Sequence, residues 1–362
     1  MSRIRSALAR LVHEVGSALN YTVSHVMLIL QGRHTTVTQL FNVGYVVSTP
    51  GDNANPVTVF LMDERGNAIV TDPGVRVLSR KKNRLIRQLL TQHGSRLAGI
   101  LLTHTHPDHV GNLAPLVRQL LPIGRVYCQP GVGRQRLVTP YRFVRNLDQA
   151  ALIGRARFPQ AWILRVLTPL YQPFAIAVYG GGIRKRDIGL VTAFPEEPIA
   201  LIEGYTLSVH RLPGHCPDEV MFLITHPDRA ERIAIMGDII PPQMNVHRRY
   251  IPGCFPPEAN VYATLASLKH LRDMRPTVLI PTHSEMLGGK TEIRQLLDEL
   301  IVTTERLILR LTQVWVEHST WYAKRVGIEA FREELQLRPS RNLGVVEMTS
   351  WAVSVYRDHP SS

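Results

Sequence analysis

Three histidines and an aspartate fall within six consecutive positions of this 362-residue chain, at His104, His106, Asp108 and His109. They lie in the segment LLTHTHPDHVGN, residues 101–112. Just before the cluster, LAGILL has the length and unbroken apolarity of a buried strand, and just after it NLAPLVRQLL has apolar residues at helical spacing. The chain is therefore predicted to run from strand through polar loop to helix here, an order typical of folds that combine sheets with packed helices.

The spacing inside this loop suits metal ions. His104 and His106 are two positions apart, so in extended chain both side chains point the same way and can bind one ion together. Asp108 and His109 follow where the chain turns, and they can face a second position a few ångströms away. Imidazole nitrogen and carboxylate oxygen are ligands that zinc accepts, and catalytic zinc sites keep a coordination position for water. Four ligands do not complete two such sites, so further donors are expected after later strands.

Three later predicted strands are each followed by such a donor. His215 lies in RLPGHCPDE, Asp238 in IMGDII and His283 in IPTHSEM. A single histidine after a strand is more often a packed or solvent-facing residue than a ligand. Three donors that appear in this order, after a first loop already rich in ligands, favour a metal site.

On the motifs THTHPDH, PGH, GD and PTH, with IVTDPG before them, the chain resembles the metallo-β-lactamase superfamily of binuclear metallohydrolases over about residues 25–290. The resemblance implies two divalent ions, with zinc expected and iron or manganese as alternatives, and it places Asp72 behind the metals. One departure from the family is Ser284 after PTH, where relatives often have Gly-His-Gly. The implied ligands are His104, His106 and His215 for the first ion, Asp108, His109 and His283 for the second, and Asp238 as the bridge.

The fold that the resemblance implies is of the α/β (α+β) class, a four-layer αββα sandwich with the metals at one edge. Residues 1–290 are expected to form the catalytic domain. Residues 291–362 are expected to be helical, and they resemble, more loosely, a winged-helix domain that follows this catalytic domain in one branch of the superfamily. Residues 129–200 are predicted to be a helical lid over the metals, in which the apolar residues that select the substrate come from Leu137, Tyr141, Phe143, Leu152, Trp162, Leu164 and Leu167.

The composition of the chain limits the classes of binding partner that we expect. A formal charge of +13 would favour nucleic acid or an anionic membrane. The basic residues are scattered, however, and the short runs RKKNR at 80–84 and RKR at 184–186 are typical of solvated helix or loop faces. No apolar stretch approaches the roughly 18 residues of a membrane span. We therefore expect a small-molecule substrate and no membrane; nucleic acid is not favoured, and a homodimer is left open.

The three cysteines, Cys128, Cys216 and Cys254, are too few and too widely spaced for a disulfide framework. This usage predicts a cytoplasmic protein. Cys216 follows the candidate ligand His215, and we interpret it as a small packed or gating residue rather than a ligand.

The reaction follows from the chemistry of the implied ions. Two dications lower the pKa of a shared water enough to supply hydroxide near neutral pH, while a metal polarises the substrate oxygen. The expected function is hydrolysis of a small ester, thioester or lactone by a metal-bridging hydroxide, with Asp108 as the catalytic proton shuttle to the leaving group. The alternative is a phosphodiesterase or ribonuclease that uses the same binuclear site.

Overall fold

The computed structural model describes residues 35–48, 56–76, 79–120, 124–130, 137, 180–240, 258–321, 323–335 and 343–358. Within these ranges, thirteen strands form two sheets and seven α-helices pack around them. The strands are β1 Thr36–Leu40, β2 Gly44–Ser48, β3 Thr58–Met62, β4 Ala68–Thr71, β5 Leu97–Leu101, β6 Arg125–Cys128, β7 Val191–Ala193, β8 Ile199–Ala200, β9 Thr206–Arg211, β10 Val220–Thr225, β11 Arg232–Ile235, β12 Val278–Ile280 and β13 Leu287–Gly288. The helices are α1 Ser79–Gln92, α2 Pro107–Val110, α3 Leu113–Leu120, α4 Val261–Asp273, α5 Lys290–Glu317, α6 Ala323–Leu335 and α7 Leu343–Asp358.

The first sheet contains β1 to β7 in chain order. Strands β1 to β4 are antiparallel, and β4 to β7 run parallel to one another. A hairpin joins β3 and β4, and Gly66 in its turn has a φ of 73°, a conformation that glycine adopts without steric cost.

The second sheet has the order β13-β12-β11-β10-β9-β8. Its strands are antiparallel except for the neighbouring pair β11 and β12, which run parallel. The two sheets also meet through the backbone, because the amide of Val57, just before β3, donates to the carbonyl of Thr282, just after β12, over 2.6 Å.

Four layers follow from the way the apolar side chains are buried. One cluster of buried side chains fills the space between α1 to α3 and the first sheet, and it includes Ile86, Ile100 and Leu116. A second cluster lies between the two sheets and contains Leu61 and Phe222. A third cluster separates the second sheet from α4 and the first half of α5. The predicted αββα sandwich is confirmed.

After Gly289, all regular structure among the described residues is helical, as predicted. A further core of buried side chains, centred on Trp351 and Phe331, holds α5, α6 and α7 together. Helix α5 contributes to this core and to the core behind the second sheet, so the division of domains at residue 290 stays a prediction. A winged helix would require strands after α6; residues 336–342, between α6 and α7, lie outside the described residues, and the winged-helix resemblance stays a prediction as well.

Two sequence interpretations need correction. Residues 191–200 were expected to end a helical insertion, but they supply β7 and β8, which complete the edges of the two sheets. Lys82, in the basic run predicted to be solvated, is buried, and its Nζ donates to the carbonyl of Pro56 over 2.6 Å. The hydrophobic period correctly predicts helix α1. It does not show that the segment before β3 covers Lys82 on one side of this helix.

Candidate metal centre

The strand directions bring the polar loops together. Strands β4 and β5 are parallel, as are β11 and β12, so within each sheet the loops that follow these strands leave from the same edge. The loop after β5 and the short helix α2 that follows it contain His104 to His109, and the loops after β9, β11 and β12 contain His215, Asp238 and His283. All seven predicted donors lie at this edge in two groups whose potential ligand atoms are within 4.8 Å of one another.

The first donor group comprises His104, His106, His215 and Asp238. Nδ1 of His106 is 2.8 Å from Nε2 of His215. Oδ2 of Asp238 lies 3.6 Å from Nε2 of His215 and 3.8 Å from Nε2 of His104.

The second donor group comprises Asp108, His109, Asp238 and His283. Oδ1 of Asp238 lies 3.2 Å from Nε2 of His109 and 3.4 Å from Nε2 of His283. Oδ2 of Asp108 completes the group, at 3.4 Å from His283 Nε2 and 3.9 Å from His109 Nε2. Asp238 therefore belongs to both groups, with one carboxylate oxygen turned toward each.

These atoms fit a metal ion. A tetrahedral zinc with bonds of 2.0–2.1 Å to nitrogen would hold its ligand atoms about 3.3 Å apart, and the donor separations here range from 2.8 to 3.9 Å. Nε2 of His104, Nε2 of His109 and Oδ1 of Asp238 are buried and make no hydrogen bond among the described residues. Buried polar atoms without a partner are costly in a native fold, and a bound cation would satisfy all three.

Burial keeps part of the donor set neutral. It lowers the pKa of His215 to about 4, and it lowers the pKa of His104 well below its usual range. Both rings are thus neutral at physiological pH, which is the form in which imidazole binds a metal.

The two carboxylates of the centre are ionised. Burial alone would raise the pKa of Asp108 and of Asp238, but the neighbouring imidazoles of His109 and His283 outweigh it and lower both values. The effect on His283 is reciprocal: burial opposes its protonation, yet Asp238 and Asp108 raise its pKa to about 9. Two ionised carboxylates in the donor set offset part of the charge of bound divalent ions.

Asp72 and Thr103 lie behind the donor groups and orient the imidazole rings of His104 and His109. Asp72 lies after β4, as the sequence predicts, with Oδ2 3.3 Å from Nδ1 of His109. The Thr103 amide and hydroxyl donate to the two oxygens of Asp72 over 2.9 and 2.7 Å. Because the hydroxyl proton points to Asp72, its oxygen is left to accept from Nδ1 of His104 at 3.2 Å, which leaves the Nε2 lone pair of that ring for an ion. Asp72 has a φ of 26°, a strained backbone conformation of the kind that clusters at functional sites.

Three acidic residues beside the metal centre were not identified as candidates from the sequence. Oε1 of Glu258 lies 3.4 Å from Nε2 of His106, and Asp218 and Glu219 are buried between the donor loops. Glu258 has no spacing signal, because it lies far along the chain from the ring that it contacts. Asp218 and Glu219 did carry a signal, because they lie three and four positions after a candidate ligand, at the start of an apolar strand. A charged residue is rarely buried in such a position without a partner.

The structure also bears on the predictions for Cys216 and for the residues expected to line the lid. Cys216 is fully buried, and burial raises the pKa of its thiol well above the usual range, which fits a packed residue. Leu137 belongs to the core behind the first sheet, so it is not a residue of a lid surface. The other six residues predicted to line the lid lie outside the described residues.

Comparison with known proteins agrees with this geometry. The family model of the metallo-β-lactamase superfamily matches residues 52–133, which include the loop from His104 to His109. No curated protein sequence is significantly similar to the chain.

Solved structures share the architecture. A β-lactamase domain protein from Burkholderia ambifaria is 18% identical with a TM-score of 0.55, over 89% of this chain and 83% of that one. An archaeal metallo-β-lactamase superfamily protein from Sulfolobus tokodaii is 22% identical with a TM-score of 0.46, over 69% and 80%. A metallo-β-lactamase family protein from Thermus thermophilus is 17% identical with a TM-score of 0.46, over 91% and 95%. The first of these superpositions supports a shared fold.

A sandwich of two mixed sheets, with clustered histidines and aspartates on the loops at one edge, defines a metal-dependent hydrolase. Residues 52–133 match the family model of the metallo-β-lactamase superfamily, and the fold of the chain is that of this superfamily. None of the described helices is both long and apolar enough to cross a membrane.

Proposed function

We propose that the chain is a binuclear metal-dependent hydrolase that acts on a small ester, thioester or lactone. The observation that carries the proposal is the position of Asp238. Its Oδ2 faces His104 and His215, while its Oδ1 faces His109 and His283. A carboxylate that presents one oxygen to each of two donor groups is suited to bridge two cations.

The residues divide between two divalent ions, for which we propose zinc, with iron or manganese as alternatives. Bound there, the ions would supply an activated water and polarise the substrate oxygen. The first ion would be held by His104, His106 and His215, the second by Asp108, His109 and His283, and both by Asp238.

We assign the proton transfer to Asp108. With a side-chain exposure of 24%, it is more accessible than Asp238 at 13% and the five histidines. It is ionised, so it can accept the proton released when water attacks the carbonyl carbon, and it can deliver that proton to the departing oxygen or sulfur as the carbon–heteroatom bond breaks. No protein nucleophile is needed, and the buried, protonated thiol of Cys216 beside the site is poorly suited to be one.

A small substrate is favoured by the position of the described residues on either side of the predicted insertion. The amide of Ile183 donates to the carbonyl of Leu137 over 2.8 Å, and Gly180 packs directly on the backbone of Gly111, which ends the short donor helix α2. The chain between Leu137 and Gly180 therefore starts and finishes close to the metal loop. This position supports our proposal that the insertion limits the size of the substrate.

A substrate panel tests this function. Purified protein loaded with zinc or manganese should hydrolyse at least one class among aryl esters, acyl-thioesters and homoserine lactones, and excess chelator should abolish the turnover. Asp108→Asn should retain folding and lose at least about tenfold in kcat, because general acid–base groups contribute about 10²–10⁴-fold. Turnover that persists in chelator, or that is absent from all three classes, would count against the proposal.

The second candidate is phosphodiester hydrolysis by the same centre, which the formal charge of +13 favours. Adding bis(p-nitrophenyl) phosphate and a short single-stranded RNA to the substrate panel distinguishes the two candidate functions. A phosphodiesterase that binds nucleic acid would show a steep loss of kcat/KM with rising salt, because phosphate contacts are screened. Hydrolysis of a neutral ester by this chain should change little with salt.

A further inference from the structure

Asp218 and Glu219 are consecutive acidic residues, three and four positions after His215, and both side chains are buried. They lie directly before β10, whose backbone is joined to the metal loop by a hydrogen bond of 2.8 Å from the Val220 amide to the Thr103 carbonyl. Asp218 lies in a turn and Glu219 follows it just before the start of β10, and the two side chains reach two different loops.

Asp218 reaches the histidine loop of the first sheet. Its Oδ2 accepts a hydrogen bond of 3.0 Å from the Thr105 amide and one of 2.8 Å from the Thr105 hydroxyl. Thr105 lies between His104 and His106, so one carboxylate oxygen holds the backbone from which both rings project.

Glu219 reaches the loop of the shared carboxylate. Its Oε1 accepts a hydrogen bond of 2.8 Å from the amide of Ile239, which directly follows Asp238. On the other side of Asp238, Gly237 packs so closely that a β-carbon there would lie 2.5 Å from the same Oε1. The carboxyl of Glu219 thus contacts the backbone on both sides of Asp238.

We propose that Asp218 and Glu219 form a positioning pair that fixes the loops of His104 and His106, and of Asp238, against the loop of His215, and so sets the separations within the first donor group. The proposal rests on the proposed function in so far as these donors bind an ion. Neither carboxyl is assigned a ligand role. They hold three loops from two sheets at distances that suit one ion. Without them, these distances would depend on the loop backbone alone.

The pair makes a specific prediction about affinity. Removing a residue that orients a ligand typically costs about 10–100-fold in metal affinity. Asp218→Ala and Glu219→Ala should therefore weaken the first ion by about that factor and leave the second ion much closer to its wild-type affinity. Asp218→Asn and Glu219→Gln keep a side-chain oxygen as the acceptor for Thr105 and Ile239, so they should recover most of the loss.

The experiment is a competition titration of the full chain with Zn²⁺ against a chromophoric chelator, together with metal content and thermal unfolding for each variant. Glu299→Ala, on the exposed face of α5, is the matched control for loss of an acidic residue. If an alanine variant fails to fold, Thr105→Val removes only the hydroxyl half of the Asp218 contact and should produce a smaller loss of the same kind.

The outcomes separate the inference from the function. If the wild-type chain binds two ions and the alanine variants bind both with unchanged affinity, the positioning pair is wrong, even if those variants unfold at lower temperature. If affinity for the first ion falls and returns in the Asn and Gln variants, the pair is supported. A wild-type chain that binds no divalent ion would overturn the proposed function itself, and the inference with it.

Discussion

Nδ1 of His106 lies 2.8 Å from Nε2 of His215, although one residue follows β5 in the first sheet and the other follows β9 in the second. The first donor group therefore joins both sheets of the sandwich. An ion bound there would add to the apolar core and the hydrogen bonds that join the two layers, so metal binding and folding should be coupled.

We expect divalent metal to raise the thermal unfolding midpoint. At a free concentration 100 times Kd, a ligand that binds only the folded state stabilises it by about 2.7 kcal/mol per site, which for a chain of this size is roughly 3 to 4 °C per site. Differential scanning fluorimetry with and without Zn²⁺ measures the shift. In His215→Ala the shift should shrink by about half; an equal shift in this variant would mean that the ion binds elsewhere.

The shared position of Asp238 predicts an asymmetry in metal content. His215→Ala should lose the first ion and retain the second, because Asp108, His109 and His283 remain. Asp238→Ala should reduce the occupancy of both sites, since each group loses an oxygen at 3.2 to 3.8 Å from its imidazoles. Elemental analysis after dialysis against a weak chelator tests this, and equal metal content in the two variants would contradict the bridging role.

Asp72 should matter without being a ligand. Asp72→Ala removes the acceptor for the Thr103 amide and hydroxyl and frees the His109 ring behind the second donor group. We expect stability to fall by about 1–3 kcal/mol, the usual cost of buried polar groups left unsatisfied, and metal affinity to fall about 10–100-fold. Chemical denaturation and metal titration measure the two effects. The prediction fails if affinity is unchanged while stability falls.

The helical core after the second sheet predicts a stability change that spares the centre. Trp351 is fully buried and packs edge-to-face on Phe331, with ring centroids 5.7 Å apart. Trp351→Ala should cost about 3–5 kcal/mol. Val316→Ala is the control, because Val316 lies 77% exposed on α5 and should change stability little. Urea unfolding followed by circular dichroism compares the two variants, and similar midpoints would show that this core contributes little.

Much of the site was predictable from short motifs. His104, His106, Asp108 and His109 share one loop, and each of His215, Asp238 and His283 follows a segment of unbroken apolarity that predicts a buried strand. The structure brings these side chains into the two groups that the resemblance implied. Local pattern was sufficient because loops after neighbouring parallel strands must leave the sheet at the same edge.

The supporting contacts were not predictable in this way. Glu258 meets His106 across 152 positions of the chain, and Asp218 meets Thr105 across 113. Nothing in the local spacing distinguishes Glu258 from a solvated acid, and the position of Asp218 before an apolar strand does not show which loop it contacts. Lys82, which lies in a basic run, shows that a charged residue there can also be buried. Which charges are removed from water depends on which segments pack over them.

By itself, then, the sequence determined the kinds of ligand, their order along the chain and the strands that carry them, because residue type and hydrophobic period are local properties. Only the tertiary structure decided the separations: that Asp238 turns one oxygen to each group, that Asp72 lies behind His109, and that Asp218 and Glu219 lie between the loops. The physical reason is that ligation depends on distances of a few ångströms between distant parts of the chain. Those distances are set by the packing of the two sheets against each other.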